Sequence, residues 1–444
     1  MKNLGRLGLV AALLFALAAW DHGNGVKAAG EPGEGANGPY RVLAPIESGN
    51  LILFPVVRAD GKSTMETPFI TLDEGLKSGE VEVTEAGRAR GLARPRGAGE
   101  PQNAYRGDEV NTLVLVNHSK RPLLLLAGEV VTGGKQDRIV AKDRIVQADG
   151  DPIDLSVFCI EPGRWTESSP VFGASDKSAA RSFMVQPEVR ERAMVDQDQQ
   201  QVWDSVHGTM SKMEAAAAPP APASTGRGGG VMYDAAPPMS LGTTSYAKMM
   251  ENPAISQKVD EAAAPVMKAR EEVLAKLRDE HAVGVVVAVR GEIVWADLFA
   301  STDLLARYWT KLVRSYAAES LSEGESRSTP DVAAPSEADA QLFLDMPSGG
   351  TENSEGDVGI YRYRELKSGS AETFVLESLL PGTGYDVHIS KMKLIEEARR
   401  APKPHPIRPH PMNPEPNDPP IINPHPIYQP QNYHPDVYYQ NVDR

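Results

Sequence analysis

The chain has 444 residues, with 46 Lys+Arg set against 60 Asp+Glu for a formal net charge of −14. A surface that acidic, without a dense basic stripe interleaved with aromatics, speaks against nucleic acid or an anionic membrane face as the main partner. The 41% hydrophobic content supports ordinary cores, and the single cysteine excludes an internal disulfide framework.

Lys2 and Arg6 precede an apolar run from Leu7 to Trp20. At on the order of 14 residues this run is short for a bilayer span and suited to the core of a secretory signal. Val26-Lys27-Ala28 offers small residues at both recognition positions. Residues 1–28 are therefore expected to be a signal peptide and the protein to be exported, periplasmic or extracellular, an uncleaved anchor being the alternative. No Cys follows the run, which removes lipoprotein attachment, and no later segment is apolar enough for a membrane span. Residues 29–39, rich in Gly, Glu and Pro, are expected to be a linker.

From Leu51 to Val57 a short apolar run predicts a strand. Leu72 to Lys77 suits one or two helical turns, and Glu80 to Thr84 alternates as a strand. Asn111 to Val116 and Leu123 to Ala127 flank a turn-rich Asn117–Pro122, which predicts a hairpin with a longer loop. Arg138 to Val146 and Ile153 to Ile160 add two more strands. Many short strands at this spacing predict a sandwich-like or barrel-like β unit.

The middle of the chain changes character. Pro187 to Met213 and Ile255 to Arg278 carry helical patterns, the second with Pro265 as its one candidate break. Residues 214–240 between them are Ala/Pro/Gly low complexity and are expected to be a disordered insertion. Ala282 to Val289 and Glu292 to Leu298 straddle Arg290-Gly291 and predict a tight hairpin. Asp303 to Glu319 predicts an amphipathic helix, with Leu304, Leu305, Tyr308, Leu312, Val313 and Tyr316 on its apolar face. Glu337 to Asp345 predicts a short helix, and Gly359 to Leu366, Thr373 to Glu377 and Tyr385 to Met392 three strands. Residues 396–444, with recurring His-Pro pairs, are expected to be a disordered tail. The expected class is α+β: a β-rich N-terminal half packed with helices and a second small sheet from the C-terminal half, all in one domain over residues 40–395.

Two islands concentrate the polar chemistry. In Gly128–Arg138, Glu129, Lys135, Gln136, Asp137 and Arg138 crowd a turn that Gly133-Gly134 allows to bend sharply. In Phe158–Trp165, Glu161 and Arg164 flank a Pro-Gly break and are placed to pair, with Trp165 beside them. A ligand loop and a structural ion-pair cluster both fit this pattern. The first island lacks the Lys-Ser/Thr ending of a phosphate-cradling loop. Cys159 lies inside a strand run and favours burial over nucleophilic work. His118, His207, His281 and His388 are scattered singly, so no metal or cofactor is assigned.

Leu72-Asp-Glu-Gly-Leu76, Asn117–Pro122, Leu126–Glu129, Gly134–Arg138, Cys159–Trp165, Gln201–Asp204, Arg290–Ile293, Asp297–Phe299 and Trp309–Tyr316 together resemble the ARPP-1 family. That domain is named for its association with ADP-ribosylglycohydrolase, rhodanese and phosphatase proteins. The resemblance runs from about Asn50 to Lys391 and implies one domain, with no particular activity attached. The functional expectation is a ligand-binding or interaction domain whose polar pocket holds an anionic small molecule or meets another exported protein, with Arg138, Arg164 and Lys135 as anchors. Two alternatives are a hydrolase using paired carboxylates among Glu129, Asp137 and Glu161, and an envelope scaffold acting through the Pro/His tail. Whether the chain is an enzyme stays open.

Overall fold

The computed structural model describes residues 38–60, 68–91, 110–173, 184–218, 241–268, 282–322, 334–348, 350–383 and 385–394. The expected signal peptide, most of the expected linker and insertion, and the expected tail lie outside the described residues. The architecture is α+β, as its alternating apolar patterns predict, and among the described residues three sheets carry it.

The first strands, β1 (Tyr40–Val42), β2 (Ile46–Ser48) and β3 (Leu51–Arg58), form one edge region, with β1 and β2 both pairing to β3. A short β4 (Ile70–Thr71) leads into helix α1 (Leu72–Ser78), started by a capping box between Thr71 and Glu74. Then come β5 (Val81–Glu85), β6 (Thr112–Asn117), β7 (Leu123–Leu125), β8 (Val130–Val131), β9 (Arg138–Val140), β10 (Arg144–Val146) and β11 (Ile153–Cys159).

The expected hairpin between the segments around β6 and β7 does not form. Strand β6 pairs with β5 and β11 in a five-stranded sheet, β5-β6-β11-β9-β8, whereas β7 joins β10 and β4 in a three-stranded one. The cause is local: the Asn117 side-chain amide donates to the carbonyls of Arg121 and Gln147, each at 2.9 Å, and turns the chain out of the first sheet. The expected continuous strand from Arg138 to Val146 is likewise split. It breaks at Ala141–Asp143, where the Asp143 carboxylate turns inward to accept from the Ala127 N–H at 2.7 Å.

Helical segments follow: α2 (Pro187–Glu191), α3 (Gln199–Ala217), α4 (Tyr246–Glu251) and α5 (Pro253–Lys268), which carries Pro265 within it. Gln197 at φ 51° ends the π-helical turn after α2, and Asp198 caps α3, so one predicted helical stretch becomes two. The hairpin of β12 (Ala282–Val289) and β13 (Glu292–Phe299) forms as predicted across Arg290-Gly291. Helix α6 (Thr302–Ser322) buries the predicted Leu304, Leu305, Tyr308, Leu312, Val313 and Tyr316. After α7 (Glu337–Asp345) come β14 (Thr351–Asp357), β15 (Tyr361–Lys367), β16 (Ala371–Ser378) and β17 (Asp386–Lys393).

The nine-stranded sheet runs β1-β3-β12-β13-β17-β16-β15-β14, with β2 also on β3, so strands from both ends of the described chain share it. Its most apolar pairing is β3–β12, one strand in from the β1 edge, where both strands are almost wholly buried. One face packs Trp295, Phe299 and Phe374 against α6 and the two smaller sheets; the other packs Phe54, Val56 and Val286 against Ala340 and Phe343 of α7. A separate core, including Leu113, Leu125 and Phe172, lies between the five- and three-stranded sheets.

Candidate functional site

The antiparallel pairing of β9 with β11 places Arg138 opposite Cys159. The turn before β9 and the turn after β11 therefore leave the same end of neighbouring strands, and the two polar islands meet. The backbone closes the junction first: Ile160 N–H donates to Asp137 O at 3.0 Å. Side chains complete it. Asp137 N–H donates to Glu161 Oε2 at 3.1 Å, and Gln136 Nε2 donates to Glu161 O at 3.1 Å. Gly134 takes φ 50°, and a Cβ there would collide with the Phe172 ring, so the tight approach of this turn requires glycine.

Arg164 is consumed by the junction. Its Nη2 lies 2.5 Å from Glu161 Oε2 and 3.6 Å from Asp137 Oδ1, and its Nη1 donates to the carbonyls of Gly134 and Thr166. Asp137 accepts from Gly133 N–H at 3.1 Å and from the Ser245 hydroxyl at 2.6 Å, which ties α4 to the same point. Burial raises the Asp137 pKa, with the nearby Glu161 charge adding to it against the Ser245 bond. Burial would raise Glu161 too, but the hydrogen bonds from Arg164 and the Asp137 N–H, with the Arg164 and Lys248 charges, together leave it below its ordinary value.

Arg138 is different. It is 0% exposed, its Nε donates to Val110 O at 2.8 Å, and neither terminal nitrogen has a hydrogen-bond partner among the described residues. Burial lowers its pKa, although an Arg starts high enough to stay charged. Half-buried Trp165 covers it, with the Arg138 guanidinium 5.8 Å and Lys135 Nζ 5.0 Å from the ring centroid. The Lys135 backbone N–H is held by Glu85 Oε1 at 2.6 Å.

Seven of the eight sequence-selected residues thus come together: Lys135, Gln136, Asp137, Arg138, Glu161, Arg164 and Trp165. Glu129 goes elsewhere. Its carboxylate accepts from Leu126 N–H at 2.7 Å and meets Lys311 Nζ of α6 at 2.6 Å, with Asp73 on the far side of that lysine at 2.5 Å. Cys159 is fully buried, and burial raises its thiol pKa, which removes the thiolate a nucleophile needs.

Sequence reasoning missed a second polar centre, deeper in the molecule. Asp297 of β13 receives both Arg190 terminal nitrogens at 3.0 and 3.1 Å, the Tyr316 hydroxyl, and the Ser390 hydroxyl at 3.1 Å. His388 of β17 bridges it to Asp143, with Nε2 3.2 Å from Asp297 and Nδ1 2.6 Å from Asp143. Burial opposes the charged imidazolium, yet Asp143 and Asp297 overcome it and lift His388 to about 9. Arg190 lies 4.5 Å over the Trp295 ring. The available signal was charge inside apolar strands, at Asp297 and His388; their partners lie far apart in sequence. All four charged groups are closed to solvent, so the network suits clamping α2, α6, β13 and β17 together rather than chemistry on a substrate.

Among the described residues no group of three or more His, Cys, Asp or Glu is arranged to hold a metal ion, and no helix is long and apolar enough to cross a membrane. A family model described as the ARG and Rhodanese-Phosphatase-superfamily-associated Protein domain, ARPP-1, matches residues 39–392. No curated protein and no solved structure matches the chain.

Proposed function

The chain belongs to the ARPP-1 family, and on that footing we propose that it is a binding domain for an anionic small molecule, anchored by Arg138 under a Trp165 cover. The carrying observation is the buried guanidinium whose two terminal nitrogens have no described partner. Leaving such donors unpaired costs free energy in the unliganded protein, and a carboxylate or phosphate oxygen pair would satisfy both at once. Lys135, on the same indole, supplies a second positive charge. Trp165 is the half-buried group that would swing aside on entry. Arg164, expected as a second anchor, contributes by fixing the turn instead. The family description, which names associated proteins, supports an interaction role alongside ligand binding.

The test is a thermal-shift series with phosphate, sulfate, acetate and citrate on the wild type and on Arg138→Gln. One anion class is expected to raise the wild-type midpoint, less so at high salt, and to leave the variant unmoved. No shift with any anion, or an equal shift in the variant, would overturn the proposal. A second reading, acid–base hydrolysis by Asp137 and Glu161, is favoured by their opposed pKa shifts. The engagement of Asp137 by both Ser245 and Gly133 weighs against it. It requires that Asp137→Asn abolish a hydrolytic activity while anion binding survives. Export is part of the proposal and rests on the charged and apolar pattern before Ala28; N-terminal sequencing of the protein recovered from the periplasm or medium tests it.

A further inference from the structure

At the β14 end of the nine-stranded sheet lies a cavity of about 80 Å³, lined by Lys142, Asn353, Ser354, Glu355, Tyr363 and Glu365. The register sets Asn353 opposite Glu365 and Glu355 opposite Tyr363, so these four side chains share one face of the β14–β15 pair. Tyr363 is only 3% exposed, and its hydroxyl has no hydrogen-bond partner among the described residues. Its ring is fixed by stacking on Phe374 at 5.8 Å. Among the described residues this buried hydroxyl lacks a partner, and it belongs to a residue that lines the polar cavity.

Charge decides what fits. Lys142 meets Glu355 at 2.8 Å, Arg144 meets Asp357 at 3.0 Å, and Lys367 meets Glu365 at 2.5 Å and Glu372 at 2.9 Å. Burial and the Glu365 contact raise Glu372 to about 7, so this pair of acids holds a proton between them near neutrality. Each of these cations already faces a carboxylate, and an ionic ligand would have to displace one of those partners. A neutral hydroxyl leaves every ion pair intact and displaces only the long hydrogen bond from Asn353 Nδ2 to Glu365 Oε2, 3.4 Å.

We infer that this cavity receives adjacent hydroxyl groups of a neutral polyol, the chemical class that includes sugars. One hydroxyl donates to Glu365 and accepts from the Asn353 amide; its neighbour bonds the Tyr363 hydroxyl. The volume admits only a few water-sized groups, hence the edge of a ligand whose remainder lies along the exposed strand β14. This site is separate from the Arg138 centre and does not rest on it.

Saturation-transfer NMR on the full chain tests the assignment, using glycerol and glucose as neutral probes and ethylamine and acetate as charged ones. Glycerol or glucose is expected to give signal, with affinity about three- to tenfold weaker in Tyr363→Phe and in Asn353→Ala. Asn353 lies on an exposed strand, so its variant keeps the test decisive if Tyr363→Phe disturbs folding. Arg138→Gln should leave polyol binding unchanged, which separates this inference from the anion site. Silence from both polyols, polyol binding unaltered in both cavity variants, or ethylamine as the only probe bound would overturn it.

Discussion

Arg138 and Arg190 are both buried guanidinium groups, and their surroundings give them opposite mutational signatures. Arg190 is matched by Asp297 through two hydrogen bonds. Replacing it with Met strands a buried carboxylate, and urea unfolding of Arg190→Met should show a loss of about 3–5 kcal/mol. Among the described residues Arg138 has no such match at its terminal nitrogens. Arg138→Met should therefore stabilise the unliganded protein, by about 1 kcal/mol or more, while removing the anion response. A loss of stability in that variant would show the guanidinium to be structurally paired. Gly128 makes a third case: at φ 85°, an added Cβ would lie 2.5 Å from Arg190 Cγ. Gly128→Ala should cost more than about 1 kcal/mol in the same assay, through both backbone strain and displacement of the Arg190 stem.

At the scale of elements, α7 is started by its own Ser336–Asp339 capping box and closed at its other end by a lysine from β17. Lys391 Nζ donates to the carbonyls of Leu344 at 3.0 Å and Met346 at 2.7 Å, closing the C-terminal end of the helix, and lies 5.6 Å over Phe343. Burial lowers its pKa to about 8. Lys391→Met keeps the stem packing but removes the donor, so α7 amides should exchange about fivefold or more faster, with smaller change in the central strands. Elements differed in how visible they were beforehand. The β12–β13 hairpin was legible because Arg290-Gly291 separates two apolar runs, and α6 because its apolar positions recur at helical spacing. Strand β14 was invisible: its Thr-Glu-Asn-Ser-Glu-Gly-Asp sequence has no apolar alternation, and only the pairing with β15 makes it a strand. The β6 and β7 segments were legible as strands but not as members of different sheets, since alternation says nothing about which strand a partner will be. The Gly-Gly and Pro-Gly turns of the candidate site could be seen; their meeting depended on the β9–β11 register.

For the molecule as a whole, the Asp143–His388–Asp297 bridge predicts a pH dependence of stability. His388 rises from 6.5 to about 9 on folding, so its contribution is complete below pH 6.5 and is lost as pH rises through about 9. Urea unfolding between those values should lose about 3 kcal/mol from this group, and His388→Gln should flatten that slope. An equal slope in the variant would assign the dependence to other groups. The same large sheet carries a further consequence for how the chain assembles. Strands β1 and β2 cover one edge of apolar β3 from neighbouring sequence, but its other edge pairs with β12, which begins only at Ala282. A nascent chain must therefore carry a bare hydrophobic strand through most of its synthesis, and this high contact order makes closure of the sheet slow. Chains halted before Ala282 leave that edge open to one another, and premature termination becomes a route to aggregation rather than to a smaller folded protein.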